Sequence, residues 1–172
     1  MNNIYIIGFM GTGKSSTGRE LALKLGRVFS DLDGDIEQMV KKSIKDIFEQ
    51  DGEPAFRKAE TKALKDVSGM EKAVIACGGG IVLVPGNVAI MKKTGTVVCL
   101  TASLREIETR TAATSSRPLL NVTDPGKTIW ELFGKRLPLY KAAADLSIDT
   151  TGKSPVEVAE FALMELSRFG KT

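Results

Sequence analysis

Eight residues near the start of the chain limit its fold more than any others. They are Gly8-Phe9-Met10-Gly11-Thr12-Gly13-Lys14-Ser15, a G-x-x-x-x-G-K-S run directly after the apolar stretch Ile4-Tyr5-Ile6-Ile7. An apolar run this short and this continuous reads as a strand buried on both faces, the kind found in parallel sheets. The glycines allow the backbone to turn so that its N–H groups converge on an anion. The helix opening near Lys14 then adds the positive end of its dipole. Lys14 would reach the β- and γ-phosphates of a nucleotide, and the Ser15 hydroxyl would ligate Mg2+. A plain glycine turn would need neither Lys14 nor Ser15 at these positions. A dinucleotide fingerprint opening at Gly11-x-Gly13, with Asp31 as the ribose acid, fails at position 16, which is Ser16 rather than glycine.

The rest of the chain repeats the same alternation. Strands are expected at Val28–Asp31, Ala73–Cys77, Thr96–Leu100 and Leu146–Ile148. Helices are expected to Leu25 (closed by Gly26) and over Ile36–Lys42, Ile44–Gln50, Pro54–Ser68, Pro85–Lys93, Ser103–Thr111, Gly126–Ala143 and Pro155–Phe169. Ala112–Asp124 reads as a loop. Five strands alternating with helices predict a three-layer α/β/α domain on a five-stranded parallel sheet. At 172 residues the chain is long enough for one such domain with a real core. Ligands in these sheets bind at the carboxyl ends of the strands.

Composition narrows the chemistry. There is no histidine, so imidazole bases, histidine triads and HExxH zinc sites are excluded. Cys77 and Cys99 sit inside apolar runs and read as buried reduced thiols, with no disulfide framework. A net charge of +3 is too weak to argue for nucleic acid without a clustered patch, and no nucleic-acid partner is expected. No run approaches the roughly 18 apolar residues of a membrane span. Met1-Asn2-Asn3 has no basic leader, so a cytoplasmic, non-membrane protein is expected.

Asp31-Leu32-Asp33 is read as the end of the second strand. Residues i and i+2 of a strand share a face, which would send both carboxylates into one cleft beside the phosphate loop. One would serve Mg2+ and the other would hold an acceptor hydroxyl, while Asp35 reads as a helix cap. Asp31-Leu32-Asp33-Gly34 also spells the D-x-x-G of a GTPase, but no N-K-x-D guanine motif accompanies it. Arg57 and Glu60 stand one helical turn apart, a spacing that alone describes a solvated surface pair. Gly78-Gly79-Gly80 follows a strand and suits close approach of backbone to a ligand. Arg110 ends a helix, Arg117-Pro118-Leu119-Leu120 lies in the polar loop, and Arg136 and Tyr140 stand four apart on the next helix. An arginine in a loop can close on phosphates and neutralise developing charge.

In this order and spacing the motifs resemble those of the shikimate kinases. The resemblance runs through nearly the whole chain: Gly8–Ser16, Phe29-x-Asp31-x-Asp33, Gly52-Glu53…Phe56-Arg57…Glu60, Gly78–Gly80, Arg117-Pro118-Leu119-Leu120 and Arg136-x-Pro138-x-Tyr140. It implies a P-loop, nucleoside-monophosphate-kinase-like fold comprising a single kinase domain over 1–172. The substrate-binding region would cover 32–62 and a mobile lid 111–124. It implies ATP and Mg2+ as cofactors, shikimate as the small-molecule partner, a monomer, and phosphoryl transfer to the 3-hydroxyl of shikimate in aromatic amino-acid (chorismate) biosynthesis. Gly11, Thr12, Gly13, Lys14, Ser15 and Ser16 would hold the nucleotide, with Arg110 against the adenine and Arg117 on the phosphates. Ser15 and Asp31 would serve the metal. Asp33, Arg57, Gly78, Gly79, Gly80 and Arg136 would bind the acceptor, and Lys14, Asp33 and Arg117 would be catalytic. A gluconate kinase and a non-catalytic nucleotide-binding regulator are the alternatives. The first should not need the acidic pair with the glycine triplet, and the second usually loses the lysine, the metal ligand or the acidic pair.

Overall fold

A computed structural model describes residues 2–112, 124–168 and 170. Its centre is β1 (Asn3–Gly8), buried along its whole length. Alternation along the strand sends Ile4 and Ile6 to one face of the sheet and Tyr5 and Ile7 to the other. β2 (Val28–Asp31), β3 (Ala73–Ala76), β4 (Gly95–Thr101) and β5 (Leu146–Asp149) complete a sheet of order β2-β3-β1-β4-β5. Every pairing is parallel, with Ile4 opposite both Val74 and Thr96.

Two cores flank this sheet, which makes the three layers expected from the alternation. On one face Ile4 and Ile6 meet α1 (Lys14–Leu25) and α8 (Pro155–Arg168) through Leu21, Ala22, Val158 and Ala159. On the other face Tyr5 and Ile7 share a core with α2 (Leu32–Val40), α4 (Gly52–Ser68), α5 (Pro85–Thr94), α6 (Leu104–Ala112) and α7 (Pro125–Ala143). Both cysteines are free and buried in that second core, as their apolar surroundings in sequence require. Gly26 closes α1 in the left-handed conformation, the C-terminal stop read from sequence.

Two stretches depart from expectation. The helix expected at Ile44–Gln50 is α3 (Ile44–Asp46) followed by a π-helical turn, Ile47–Asp51, and Gly52, at φ 80° and ψ 167°, breaks it from α4, which starts two residues before the expected Pro54. Pro54 falls in the first turn of α4, where a missing N–H leaves no bond unmade. The strand expected to carry both Asp31 and Asp33 stops at Asp31. Asp31 is instead the N-cap of α2, its Oδ1 accepting the Asp33 N–H at 3.2 Å. Aspartate caps helices well because its short side chain satisfies an otherwise unpaired amide. Asp35, read from sequence as a cap, instead accepts from the Ser30 hydroxyl. The expected lid is described only at Thr111, Ala112 and Asp124, and residues 113–123, with Arg117 among them, lie outside the described residues, as does Phe169 at the expected end of α8.

Candidate active site

The strand order decides where a ligand fits. From β1 the chain crosses to one side, and from β3 it crosses to the other, so the carboxyl ends of these adjacent strands leave a crevice between diverging connections. β1 delivers the phosphate loop to that crevice, and β3 delivers Gly78–Gly80.

In the phosphate loop Gly8, Gly11 and Gly13 have φ of 142°, 78° and 83°, a region that side chains resist. A Cβ on Gly8 would also run into the Leu100 carbonyl on neighbouring β4. The Thr12 hydroxyl donates to the Phe9 carbonyl at 2.8 Å and the Lys14 ammonium to the same oxygen at 3.0 Å. The lysine is thereby held over the loop, within reach of whatever the loop cradles. Gly13 caps α1, so the free N–H groups at the start of the helix point into the loop. Ser15 and Ser16 follow in its first turn.

Beside the loop opens a cleft of about 760 Å³. Its lining includes Ser15, Asp31, Asp33, Arg57, Gly78–Gly80 and Arg136. The residues expected to meet at the acceptor therefore do meet, although the two aspartates arrive by a different route: one ends β2 and caps, the other sits in the first turn of α2. Arg110 is not among the lining. It forms an ion pair with Glu106 at 2.9 Å and donates to the Gly11 carbonyl and to both oxygens of Thr150, which ties α6 and the segment after β5 to the phosphate loop.

The Arg57–Glu60 pair is not the surface pair that its spacing describes. Glu60 is fully buried, its Oε2 accepting from Arg57 Nη1 at 2.8 Å, while Glu53 takes the other side of the guanidinium at 2.9 Å. A signal for this was present in the sequence. Phe56, Glu60, Ala63, Leu64 and Val67 form one buried stripe at helical spacing, and Glu60 lies within it. Burial lifts the Glu60 carboxyl to about 7 against the pull of Arg57, and nearby Asp33 adds to the rise. Glu60 Oε1 has no partner among the described residues and is turned toward Gly78 and Asp33.

Because the folded protein holds this proton more tightly than the unfolded chain, folding stability drops as pH rises from about 4.5 to about 7. Glu60→Gln removes that component. The urea midpoint of the wild type, measured between pH 5 and 8, should fall relative to that of Glu60→Gln as pH rises.

Two of the three glycines, Gly78 and Gly80, are packed too closely for side chains. A Cβ on Gly78 would lie 2.8 Å from Asp33 Oδ1 and 3.0 Å from Glu60 Oε1, and one on Gly80 would overlap the Arg57 guanidinium. Gly80 itself has an ordinary backbone, with φ −101° and ψ 1°. Gly80→Ala therefore displaces the Arg57 guanidinium from Glu53 and Glu60 rather than refolding the turn. It should raise KM for the acceptor about tenfold, on the order of one charged hydrogen bond, and lower Tm as buried Glu60 loses its partner. Steady-state kinetics alongside a thermal melt checks both halves.

Among the described residues no three histidine, cysteine or acidic side chains come together as a metal cage. Ser15 and Asp31 face the same cleft and offer a hydroxyl and a carboxylate. Such a sparse, hard oxygen set fits Mg2+, which takes one or two protein ligands and completes its shell with phosphates and water.

A loop shaped for a triphosphate, opening on a small-molecule cleft with guanidiniums for an anionic group, makes the chain a P-loop kinase acting on a small acceptor. A model of the family described as "Shikimate kinase" matches residues 10–167. The chain belongs to the shikimate kinase family, whose members are ATP-dependent kinases. It is 46% identical over 174 residues to the shikimate kinase of Thermodesulfovibrio yellowstonii, with 100% of both chains covered. Its fold is similar to that of the shikimate kinase of Acinetobacter baumannii in complex with shikimate, at a TM-score of 0.94 and 37% identity over 98% of this chain and 94% of that one. A gluconokinase from Sinorhizobium meliloti, at a TM-score of 0.57 and 15% identity over 98% of this chain and 93% of that one, shares the fold alone.

Proposed function

We propose that this chain phosphorylates the 3-hydroxyl of shikimate from ATP and that the residues of the cleft divide the task as follows. Gly11, Thr12, Gly13 and Ser16 cradle the triphosphate through backbone and hydroxyl donors. Lys14 leaves the Phe9 carbonyl for the γ-phosphoryl oxygens. Arg117, from the lid over 111–124, adds charge to the phosphates, and Arg110 carries the adenine end. Ser15 and Asp31 would hold Mg2+, which would supply neutralisation of phosphate charge. Arg57 and Arg136 take the acceptor's carboxylate, for which planar, two-pronged donors are suited. Asp33 orients the 3-hydroxyl toward the γ-phosphorus and accepts its proton. Gly78–Gly80 let the ring of the acceptor lie against the backbone.

Phosphoryl transfer depends mainly on positioning and on charge stabilisation, so the absence of histidine is no handicap. The observation that carries this reading is the convergence of Asp33, Arg57, Arg136 and the glycine triplet on one cleft that has Ser15 at its edge. The retained Lys14, Ser15, Asp31 and Asp33 count against a non-catalytic nucleotide binder. A coupled assay of ADP formation, run with shikimate, gluconate and nucleoside monophosphates, tests the reading. Turnover should require shikimate. ADP formation with gluconate and none with shikimate would overturn the acceptor, and tight ATP binding with no turnover on any acceptor would overturn the activity. The protein is taken to work as a cytoplasmic monomer in aromatic amino-acid biosynthesis. Among its described residues no helix is long and apolar enough to cross a membrane.

A further inference from the structure

Tyr140 belongs to the Arg136-x-Pro138-x-Tyr140 run, yet the phosphoryl-transfer chemistry leaves it without a task. It sits in the last turns of α7 and is 2% exposed. Its hydroxyl donates to the Gly79 carbonyl, and Arg136, one helical turn earlier, donates Nη1 to the same oxygen at 3.4 Å. Burial pushes the phenol well above its ordinary value, so it remains a neutral donor throughout the working range. The phosphate loop lies nearby: a Cβ on Gly79 would be in ordinary contact, 3.7 Å from both the Gly8 carbonyl oxygen and the Met10 nitrogen and 3.8 Å from the Tyr140 hydroxyl. The peptide joining Gly79 to Gly80 is thus held to α7 through its carbonyl, close to the phosphate loop.

We propose that Tyr140 is a positioning residue for the acceptor, fixing the rotation of the Gly79–Gly80 peptide and leaving Arg136 free to engage the substrate. The first part follows from peptide geometry. In a planar trans peptide the carbonyl and the next N–H point in opposite directions, so a hydroxyl that holds the Gly79 oxygen toward α7 turns the Gly80 N–H away from it. Glycines have no side chains, so they present a ligand with only their amides and their room, and the rotation of this peptide decides what is presented. The second part follows from sharing. With Tyr140 on the carbonyl, Arg136 need contribute only a long, weak bond there; without Tyr140, its guanidinium becomes the sole donor and is drawn from the cleft.

The proposal rests on the assignment of Gly78–Gly80 and Arg136 to the acceptor. Its test is Tyr140→Phe, which keeps the ring in the core and leaves the Gly79 carbonyl still bonded to Arg136, measured beside Arg136→Lys and the double variant. Tyr140→Phe should raise KM for shikimate about five- to tenfold, the scale of one hydrogen bond, with KM for ATP within about twofold of wild type. Because both side chains share one oxygen, the double variant should lose less than the product of the single losses in kcat/KM. Equal rises in both KM values, losses that follow Tm alone, or multiplicative losses in the double variant overturn the role. An active wild type with an indistinguishable Tyr140→Phe overturns the role of Tyr140 alone. A wild type that does not phosphorylate shikimate overturns the acceptor assignment and this role with it.

Discussion

Asp33→Asn is expected to lower kcat by about 10²–10⁴, the usual contribution of a positioned general base, while leaving KM for ATP and Tm close to those of the wild type. The argument is local. Asp33 stands in the first turn of α2, its backbone N–H already held by the Asp31 cap and its carboxylate packed against Gly78. Asparagine fills the same volume and can still bond a hydroxyl, so binding geometry survives. It cannot take up the proton that leaves when the acceptor oxygen attacks phosphorus. Pre-steady-state mixing separates the chemical step from product release. A kcat that does not change would confine Asp33 to orienting the hydroxyl.

Arg136→Lys should raise KM for shikimate by about 10- to 100-fold, since hydrogen bonds to charged groups are worth roughly 1.5–3 kcal/mol. Arg136 is 5% exposed and reaches the cleft from the middle of α7. A lysine keeps the positive charge but presents a compact ammonium in place of a planar fork, so one of two parallel bonds to a carboxylate is lost. The comparison is informative because Arg57 is already held on two sides by Glu53 and Glu60. The charge of Arg57 is therefore largely answered within the protein, and Arg136 carries more of the substrate's anion. Titration with shikimate in the absence of nucleotide reads this directly. An affinity within about twofold of wild type would show that charge alone suffices.

The elements most legible in the sequence are those in which one physical requirement dominates. Ile4–Ile7 has no polar face, so it can only be a central strand, and the glycines of the phosphate loop adopt backbone angles that other residues resist. The close approach of Gly78 and Gly80 to Asp33, Glu60 and Arg57 follows equally from three residues without side chains. Less legible were residues that can satisfy two requirements at once. Asp31 is both the last residue of β2 and the cap of α2, and the strand ends there rather than at Asp33 where β3 beside it also stops, with Ala76 opposite Asp31. The Arg57–Glu60 spacing establishes contact but not depth. Depth comes from Phe56, Ala63 and Leu64 on the same stripe, a tertiary fact only weakly written in local sequence. The π-helical turn at Ile47–Asp51, which takes up most of the helix expected at Ile44–Gln50, has no composition of its own to announce it.

The two buried thiols set a limit on how this enzyme can be harmed. Burial raises Cys99 to about 11 and Cys77 further still, so neither forms appreciable thiolate, the species that electrophiles and soft cations attack. None of the lysine, aspartate, arginine, glycine and serine residues assigned to the reaction is an oxidisable side chain. Thiol-directed reagents therefore find no thiolate in the folded protein, and the oxidisable group nearest the working parts is the Met10 thioether, which lines the cleft from within the phosphate loop.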